Sequence, residues 1–243
     1  WNNRGLVAAR NWIKDHATAA GHARHWQLDD NMCRFRRRFH GRRIPCQAGA
    51  ALRITEDFVD RYENVAVAGI NYVMFARNDS LVPPFLLNVH IYSCSLILNA
   101  LPYGWRLRYN DDTDLCLRVL ADGWCTVQMN IFLVEKIATM LVTGGNTTDL
   151  YQGDGRLRMA RTLERVWPGV VTTTRRFNRP QHKIKDEWAK FDTPLRLKPG
   201  IDLATMPAVD NYGLALVQVK PDIKNADLRH FVDAHGGVRK GLS

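Results

Sequence analysis

The sequence predicts an α/β fold in which a mixed central sheet is flanked by helices. Segments with apolar residues at helical spacing alternate along the chain with short runs rich in β-branched and aromatic residues. This alternation is typical of α/β domains with a largely parallel or mixed sheet. We find neither an internal repeat nor a low-complexity linker in the 243 residues. We therefore expect one domain over residues 1–190 and an extension over 191–243 that packs on it.

Five segments predict helices. The first, residues 5–21, places Leu6, Trp12 and Ile13 at helical spacing and ends at Gly21. The segment ITEDFVDRYENV predicts a helix capped by Thr55, with acidic residues in its first turn. The others are 112–123, closed by Gly123, 153–169, closed by Pro168 and Gly169, and the weaker 226–236.

Four segments predict strands. They are HWQL (25–28), VAVAGINYVMFA (65–76), WCTVQMNIFLV (124–134) and the weaker NYGLALVQVK (211–220). An open nucleotide-binding sheet normally begins with a strand, whereas the first segment here predicts a helix. Either an initial strand is missing from this sequence or the fold departs from that pattern.

The charge balance favours a polyanionic partner. Thirty-four Lys and Arg against 24 Asp and Glu give a formal net charge of +10, and neutralisation of phosphates by cations supplies non-specific affinity. RFRRRFHGRR (34–43) holds six of the arginines, interleaved with two phenylalanines. This segment predicts either a solvated basic loop or a contact with a nucleic-acid backbone or a nucleotide diphosphate.

The sequence offers no sign of a membrane partner. No apolar run approaches the roughly 20 residues of a membrane span, and WNNRGLVAAR has no basic-then-apolar leader pattern. The five cysteines are odd in number and form no CxxC pair, so reduced thiols are expected rather than a disulfide framework or a zinc ribbon. We expect a cytoplasmic protein.

Two acidic clusters are candidates for chemistry. Asp29, Asp30 and Asn31 directly follow a predicted strand, where open α/β sheets bind ligands, and hard oxygen ligands suit magnesium or manganese. A turn or a helix cap would use the same residues. In DDTDL (111–115), carboxylates open a predicted helix, where they cap it or, beside a substrate hydroxyl, act as a general base.

A glycine-rich turn, TGGNTT (143–148), is a third candidate. Its backbone amides, at Gly144 and Gly145 above all, are suited to bind phosphate or sugar hydroxyls. It has no P-loop lysine and does not read GxGxxG, so a plain loop is the alternative. Trp105 and Trp124 flank the second acidic cluster, either as core residues or as sugar platforms.

Three segments together resemble known enzymes. AARN (8–11), LDDN (28–31) and DDTDLCLRVL (111–120) resemble the inverting nucleotide-sugar glycosyltransferases of the GT-A fold. NDDTDLCLRVLADGWCTVQMNIFLVEKIATM and the following TGGNTTDLY are similar to the TET/JBP-associated glycosyltransferases, which occur in bacteriophages and in some eukaryotic proteins. The resemblance covers roughly residues 5–190.

The resemblance implies a GT-A fold and glycosyl transfer. The donor would be a nucleotide-sugar such as UDP-glucose, with a divalent metal, manganese or magnesium, as cofactor. The acceptor would be the hydroxyl of a hydroxymethylated pyrimidine in DNA, 5-hydroxymethylcytosine above all, in the host cytoplasm if the chain is phage-encoded. A GT-A enzyme acting on a protein or a small molecule is one alternative, and an inactive DNA-binding module is another.

The resemblance also assigns roles to residues of this chain. Asp29 and Asn31 match the outer positions of the Asp-x-Asp metal motif, with Asp30 between them and an amide where the family has a carboxylate. His182 would be a late metal ligand, with an exposed surface position as the alternative. Asp112 matches the catalytic base, Asp111 replaces the glutamate before it, and Asp114 caps the helix or orients its neighbours. Arg10 and Asn11 would contact the nucleotide or the motif strand, or else lie on the surface, and Asp29 would also help to hold the donor.

Overall fold

The computed structural model describes residues 5–39, 42–76, 82–137, 153–188 and 190–205. These ranges contain helices α1 (Leu6–Ala19), α2 (Ala48–Val59), α3 (Asp111–Ala121) and α4 (Gly155–Val166). Their strands are β1 (Arg24–Leu28), β2 (Met32–Phe39), β3 (Arg42–Cys46), β4 (Val65–Tyr72), β5 (Phe85–Leu87), β6 (Cys94–Leu98), β7 (Cys125–Lys136), β8 (Val171–Arg176) and β9 (Arg179–Ile184). Across the described ranges, no helix is both long enough and apolar enough to span a membrane.

Seven of these strands form one mixed sheet. Its order is β1-β6-β4-β7-β2-β3, and β5 also pairs with β7. β4 and β7 are parallel, whereas β6 is antiparallel to both β1 and β4. Strands β1, β4 and β7 therefore run in the same direction, and their carboxyl ends lie along one edge of the sheet. The predicted mixed sheet flanked by helices is confirmed, and its GT-A identity stays a prediction.

The core lies on both faces of β4. All eight residues of this strand are buried, as expected for a central strand covered on both sides. On one face Val65 and Ile70 pack in a cluster with Phe58 of α2, and on the other Val67 packs with Leu115 of α3. Burial of each such large side chain stabilises the fold by about 1.5–3 kcal/mol, and this packing fixes the start of α3 against the sheet.

Gly69 lies where β4 meets its neighbours most closely. A Cβ atom at this position would collide with the backbone oxygen of Cys94 and with Cγ2 of Ile91. Gly69→Ala is therefore expected to lower the free energy of unfolding by about 1–3 kcal/mol, because the strands must move apart. Gly49→Ala is the control, since nothing lies within 4 Å of its added Cβ. Urea unfolding of both variants measures the difference, and equal stabilities would contradict the expected strand contact.

Most predicted elements agree with the structure, and two predictions are wrong. Thr55 is not a helix cap, because α2 begins at Ala48 and the Thr55 hydroxyl donates to the Ala51 oxygen inside the helix. The arginine-rich segment is not a solvated loop, because residues 32–39 and 42–46 form the β2–β3 hairpin at the sheet edge. The strand and the helix expected at 211–220 and 226–236 lie outside the described residues.

The described part of the C-terminal extension contacts the domain. Leu195 is buried in the same cluster as Phe58, and Leu197 forms a β-bridge with Tyr62. The Arg196 backbone oxygen accepts a hydrogen bond of 2.9 Å from the Glu63 amide. The division at residue 190 itself stays a prediction.

Candidate active site

The carboxyl ends of the three co-directional strands meet at one polar cluster. Asp29 follows β1, Tyr72 ends β4 and Lys136 ends β7. The Lys136 ammonium donates to Asp29 Oδ2 at 2.9 Å, to Ser93 Oγ at 3.1 Å and to the Tyr72 hydroxyl at 3.4 Å. Burial alone would lower the pKa of Lys136, but its bond with Asp29 and the neighbouring Tyr72 raise this pKa above the ordinary value. Lys136 therefore keeps its proton at neutral pH and pairs with Asp29.

Arg10 joins the two acidic segments. Its guanidinium donates to Asp111 Oδ2 at 2.7 Å and to Asp29 Oδ1 at 3.4 Å, and it lies 4.3 Å above the Trp105 ring. Only 7% of Arg10 is exposed, so the surface alternative for this arginine is wrong. Its neighbour Asn11 bonds both the oxygen and the amide of Trp105. Contact of Arg10 or Asn11 with a nucleotide stays a prediction.

Asp112 contacts the imidazole ring of His90. Its Oδ2 lies 3.1 Å from His90 Nε2, and its Oδ1 accepts a 2.7 Å hydrogen bond from the Thr113 amide. Burial would raise the pKa of Asp112, but the charge and hydrogen bond of His90, the charge of Arg10 and the Thr113 amide together hold it well below its usual range. Asp112 is therefore an ionised carboxylate at neutral pH, half-buried at the start of α3.

Asp111 has the opposite shift. Burial raises its pKa from 3.8 to about 6, and Asp112 adds to this effect, although Arg10 opposes it. At neutral pH Asp111 is charged and pairs with Arg10, and in mildly acidic solution it takes up a proton. Two adjacent carboxyls thus differ widely in pKa, an arrangement that is frequent at catalytic centres.

The raised pKa of Asp111 makes folding stability depend on pH. Between pH 3.8 and about 6 the native state binds more protons than the unfolded state, so this carboxyl's stabilising contribution is full below 3.8 and is lost as pH rises to 6. The loss amounts to about 1.4 kcal/mol per pH unit at most. Asp111→Asn cannot titrate and is expected to gain stability relative to the wild type over this range. Urea unfolding from pH 4 to 7 measures it, and a constant difference between the two proteins would contradict the shift.

Asp114 is a structural carboxylate. It is fully buried and accepts hydrogen bonds from Arg106 and from the Trp167 indole, while Arg118 pairs with it at 3.1 Å. Of the two roles expected for Asp114, orienting its neighbours agrees with these contacts. It ties α3 to the segment before it and to the end of α4.

A row of aromatic rings leads to the His90–Asp112 pair. Phe75, half of whose surface is exposed, lies 5.0 Å from the Tyr92 ring, and Tyr92 lies 4.4 Å from the His90 ring. Trp188 stacks on the other side of His90, with centroids 6.3 Å apart. Burial, with the charge of Asp112, raises the pKa of Tyr92 to about 12, so its hydroxyl keeps its proton. These planar groups form a surface suited to a sugar or a base beside the carboxylate.

The segment Asp29–Asn31 is the turn between β1 and β2. Asp30 is exposed, and Asn31 donates weakly, at 3.3 Å, to the Ile137 oxygen. Within the described ranges, Asn31 Oδ1 is buried and has no hydrogen-bond partner. The turn alternative is thus confirmed as a description of the backbone, and ligation of a metal by Asp29, Asp30 or Asn31 stays a prediction.

His182 lies on β9, opposite Thr173, and is half-buried. Burial lowers the pKa of its imidazole, the charge of His90 lowers it further, and Asp112 opposes them. His182 is therefore near enough to Asp112, at the start of α3, for that carboxylate to affect its pKa. The exposed-surface alternative for this histidine is wrong, and its role as a metal ligand stays a prediction.

Among the described residues, the side chains expected to bind a divalent ion are not arranged as a set of ligands. Both oxygens of Asp29 already bond cations, one with Arg10 and the other with Lys136. In the part of the chain that the structure describes, no group of three or more His, Cys, Asp or Glu side chains is arranged to hold a metal. A divalent ion at Asp29 would first have to displace the Lys136 ammonium.

Several residues of the site are not predicted by the sequence patterns described above. His90, Tyr92 and Ser93 lie in the segment after β5, where the sequence shows only a histidine interrupting an apolar stretch. Lys136 is the second residue after the strand predicted at 124–134. Asp29 was a candidate because it follows a predicted strand, and the same criterion applies to Lys136. Gly144 and Gly145, expected to bind phosphate or sugar, lie outside the described residues.

Comparison with known proteins identifies the family. Searches of curated proteins and of solved structures gave no significant match. The family model described as TET-Associated Glycosyltransferase matches residues 1–145, more than half of the chain. The match includes Arg10, Asp29, His90, Asp112 and Lys136, and it ends before His182. With these residues brought together at one edge of the sheet, the chain belongs to the TET-associated glycosyltransferase family.

Proposed function

We propose that this protein is a GT-A-type glycosyltransferase that moves a sugar from a nucleotide-sugar donor to the hydroxyl of a hydroxymethylated pyrimidine in DNA, 5-hydroxymethylcytosine in the first place. The observation that carries the proposal is the Asp112 carboxylate, whose Oδ2 lies 3.1 Å from His90 Nε2 beside the edge where β1, β4 and β7 end. Ligands of open α/β sheets bind at this edge. Family membership supplies the reaction class, glycosyl transfer.

The reaction needs one proton acceptor. The hydroxymethyl oxygen attacks the anomeric carbon, whose bond to the diphosphate oxygen breaks, and that electron pair leaves with the nucleoside diphosphate. Asp112 accepts the hydroxyl proton, so charge is balanced as the new glycosidic bond forms. A single displacement inverts the anomeric carbon. If the product retains its configuration, Asp112 would position the acceptor instead.

Lys136 and Arg10 both bond Asp29. In a donor complex, the Lys136 ammonium would face the negative charge that develops on the leaving diphosphate. The Asp-x-Asp motif favours a divalent ion, manganese or magnesium, for the same task. These two possibilities predict opposite effects of metal removal on donor binding.

The arginines of the β2–β3 hairpin support a DNA acceptor. Arg38 lies directly opposite Arg43 in the antiparallel register, so two cations stand side by side on this hairpin. Arg34 and Arg42 are exposed. Arg36 pairs with Glu135 at 2.8 Å. A phosphate backbone along this hairpin would be attracted by these exposed cations.

A transfer assay tests the proposal. The protein is incubated with UDP-glucose or another nucleotide-sugar and with duplexes that contain 5-hydroxymethylcytosine, 5-hydroxymethyluracil or cytosine. Mass spectrometry of the nucleosides is expected to show a hexose only on hydroxymethylated bases. Transfer to protein or to free sugars but to no DNA would favour the alternative acceptors. DNA binding without transfer from any donor would favour an inactive binding module.

A further inference from the structure

The hairpin formed by β8 and β9 ends in an exposed aromatic side chain. Phe177 is 82% exposed, the largest value among the exposed large hydrophobic residues of the described ranges. Its ring contacts the guanidinium of Arg176 at 5.0 Å. A large apolar side chain that stays exposed to water lacks the stabilisation that burial would provide. Burial in the core therefore does not explain why a phenylalanine stands here.

The turn that carries Phe177 is strained. Phe177 and Asn178 have φ values of 51° and 56°, and they are the two residues between strands that pair Arg176 with Arg179. Two-residue turns of this kind favour Asn, Asp or Gly at both positions. A bulky residue at positive φ is unfavourable, so neither the exposure nor the conformation of Phe177 is explained by folding.

The hairpin is positively charged. Residues 171–185 contain Arg175, Arg176, Arg179, Lys183 and Lys185 and no acidic residue. All five are exposed, and Arg175, Arg176 and Arg179 lie next to the aromatic tip. An apolar side chain surrounded by cations is complementary to nucleic acid, whose phosphates flank stacked bases.

The base of the hairpin is anchored beside the proposed catalytic centre. Val171 and Ile184 are buried in one cluster with Leu117 of α3 and Leu163 of α4. His182 lies four positions after Asn178 along the chain, which is about 13 Å at the rise of a strand. His182 is near enough to Asp112 for that carboxylate to influence its pKa. Trp188, just past the hairpin, stacks on His90.

We propose that the tip of the β8–β9 hairpin is a DNA wedge, in which Phe177 enters the duplex and fills the space left by the target base while Arg175, Arg176 and Arg179 bind the flanking phosphates. The inference rests on the proposed function, since it requires a base-paired acceptor. A hydroxymethyl group on a paired base must leave the stack to reach Asp112, and an inserted side chain offsets part of the lost stacking. The distance of about 13 Å from the hairpin tip to His182 is larger than the depth of a DNA groove, which is about 8 Å.

Phe177→Asn tests the wedge, because asparagine suits the turn and removes the ring. Its melting temperature is expected to equal or exceed that of the wild type. Transfer to 5-hydroxymethylcytosine in a duplex is expected to fall about tenfold or more, with transfer to the same base in a single strand nearly unchanged. Leu6→Ala, at another exposed apolar position, is the control and should change neither rate.

A second measurement does not depend on transfer. A 2-aminopurine placed next to the target base fluoresces when stacking is lost, so binding of the wild type is expected to raise its signal and binding of Phe177→Asn is not. Equal signals, or equal losses of rate on duplex and single strand, would overturn the wedge while leaving the transferase intact. Absence of transfer to any DNA would instead refute the proposed function, and a fluorescence rise that needs Phe177 would still support the wedge.

Discussion

Asp112→Asn is expected to lower the rate of sugar transfer by a factor of about 10²–10⁴, the usual contribution of a general base. An amide has nearly the same shape as the carboxylate but cannot accept the hydroxyl proton. Donor affinity should remain close to that of the wild type, because Asp29 and Lys136, which are proposed to bind the donor, are unchanged. Single-turnover transfer assays measure the rate, and calorimetric titration with the donor measures the affinity. Asp57→Asn is the control, since Asp57 forms an exposed ion pair on α2.

His90 offers an independent check of that assignment. Because His90 lowers the pKa of Asp112, His90→Ala is expected to move the acid limb of the pH–rate profile to higher pH. A role limited to packing would lower the rate without moving this limb. His90→Gln retains a hydrogen-bond donor but no charge and should give a smaller displacement. Undiminished transfer by Asp112→Asn would exclude Asp112 as the base.

Lys136→Met is expected to weaken donor binding about 10- to 100-fold, because it removes the cation that is proposed to form a charge-assisted bond with the diphosphate. Lys136→Arg keeps the charge and should recover part of the affinity. If the ammonium is the cation of the site, titration of the wild type with a nucleotide-sugar should give the same affinity with a chelator as with manganese. The structural reason is that Lys136 already bonds Asp29 at 2.9 Å.

The opposite result would show that donor binding requires a divalent metal ion. Donor binding that disappears on chelation and returns with manganese would show that the Asp-x-Asp motif acts as the sequence predicts. Lys136→Met would then bind manganese more tightly than the wild type, since Asp29 would lose a competing cation. Arg53→Met, which removes a cation from an exposed pair on α2, is the control for general effects of charge.

Local patterns in the sequence were sufficient for much of the fold. The apolar run of β4 and the acid-rich start of α3 predict their own conformations, because the strand is covered on both faces and the helix amides attract carboxylates. The beginning of α2 was missed because Ala48 follows no capping side chain. The hairpin of β2 was missed because its arginines are stabilised by distant partners, such as Glu135 for Arg36.

The site was predictable in part for the same reason. Asp29 and Asp112 stand at element ends, which a linear pattern marks. His90 stands in an irregular segment, and its proximity to Asp112 depends on how β5 and the segment after it cross the sheet. Lys136 joins Asp29 only because β1 and β7 run in the same direction, and this topology is not encoded in any short stretch of residues.

The buried guanidinium of Arg10 makes one unit of two acidic segments that are distant in the sequence. Arg10 bonds Asp29, at the proposed donor site, and Asp111, which stands beside the proposed base Asp112. A substitution on either side leaves this cation with one partner and redistributes its charge to the other. Effects of changes at Asp29 and Asp111 should therefore not add. If a donor binds at Asp29 as proposed, it would change the charge that Arg10 shares with Asp111, and the proposed base Asp112 beside it would respond to whether the donor is bound.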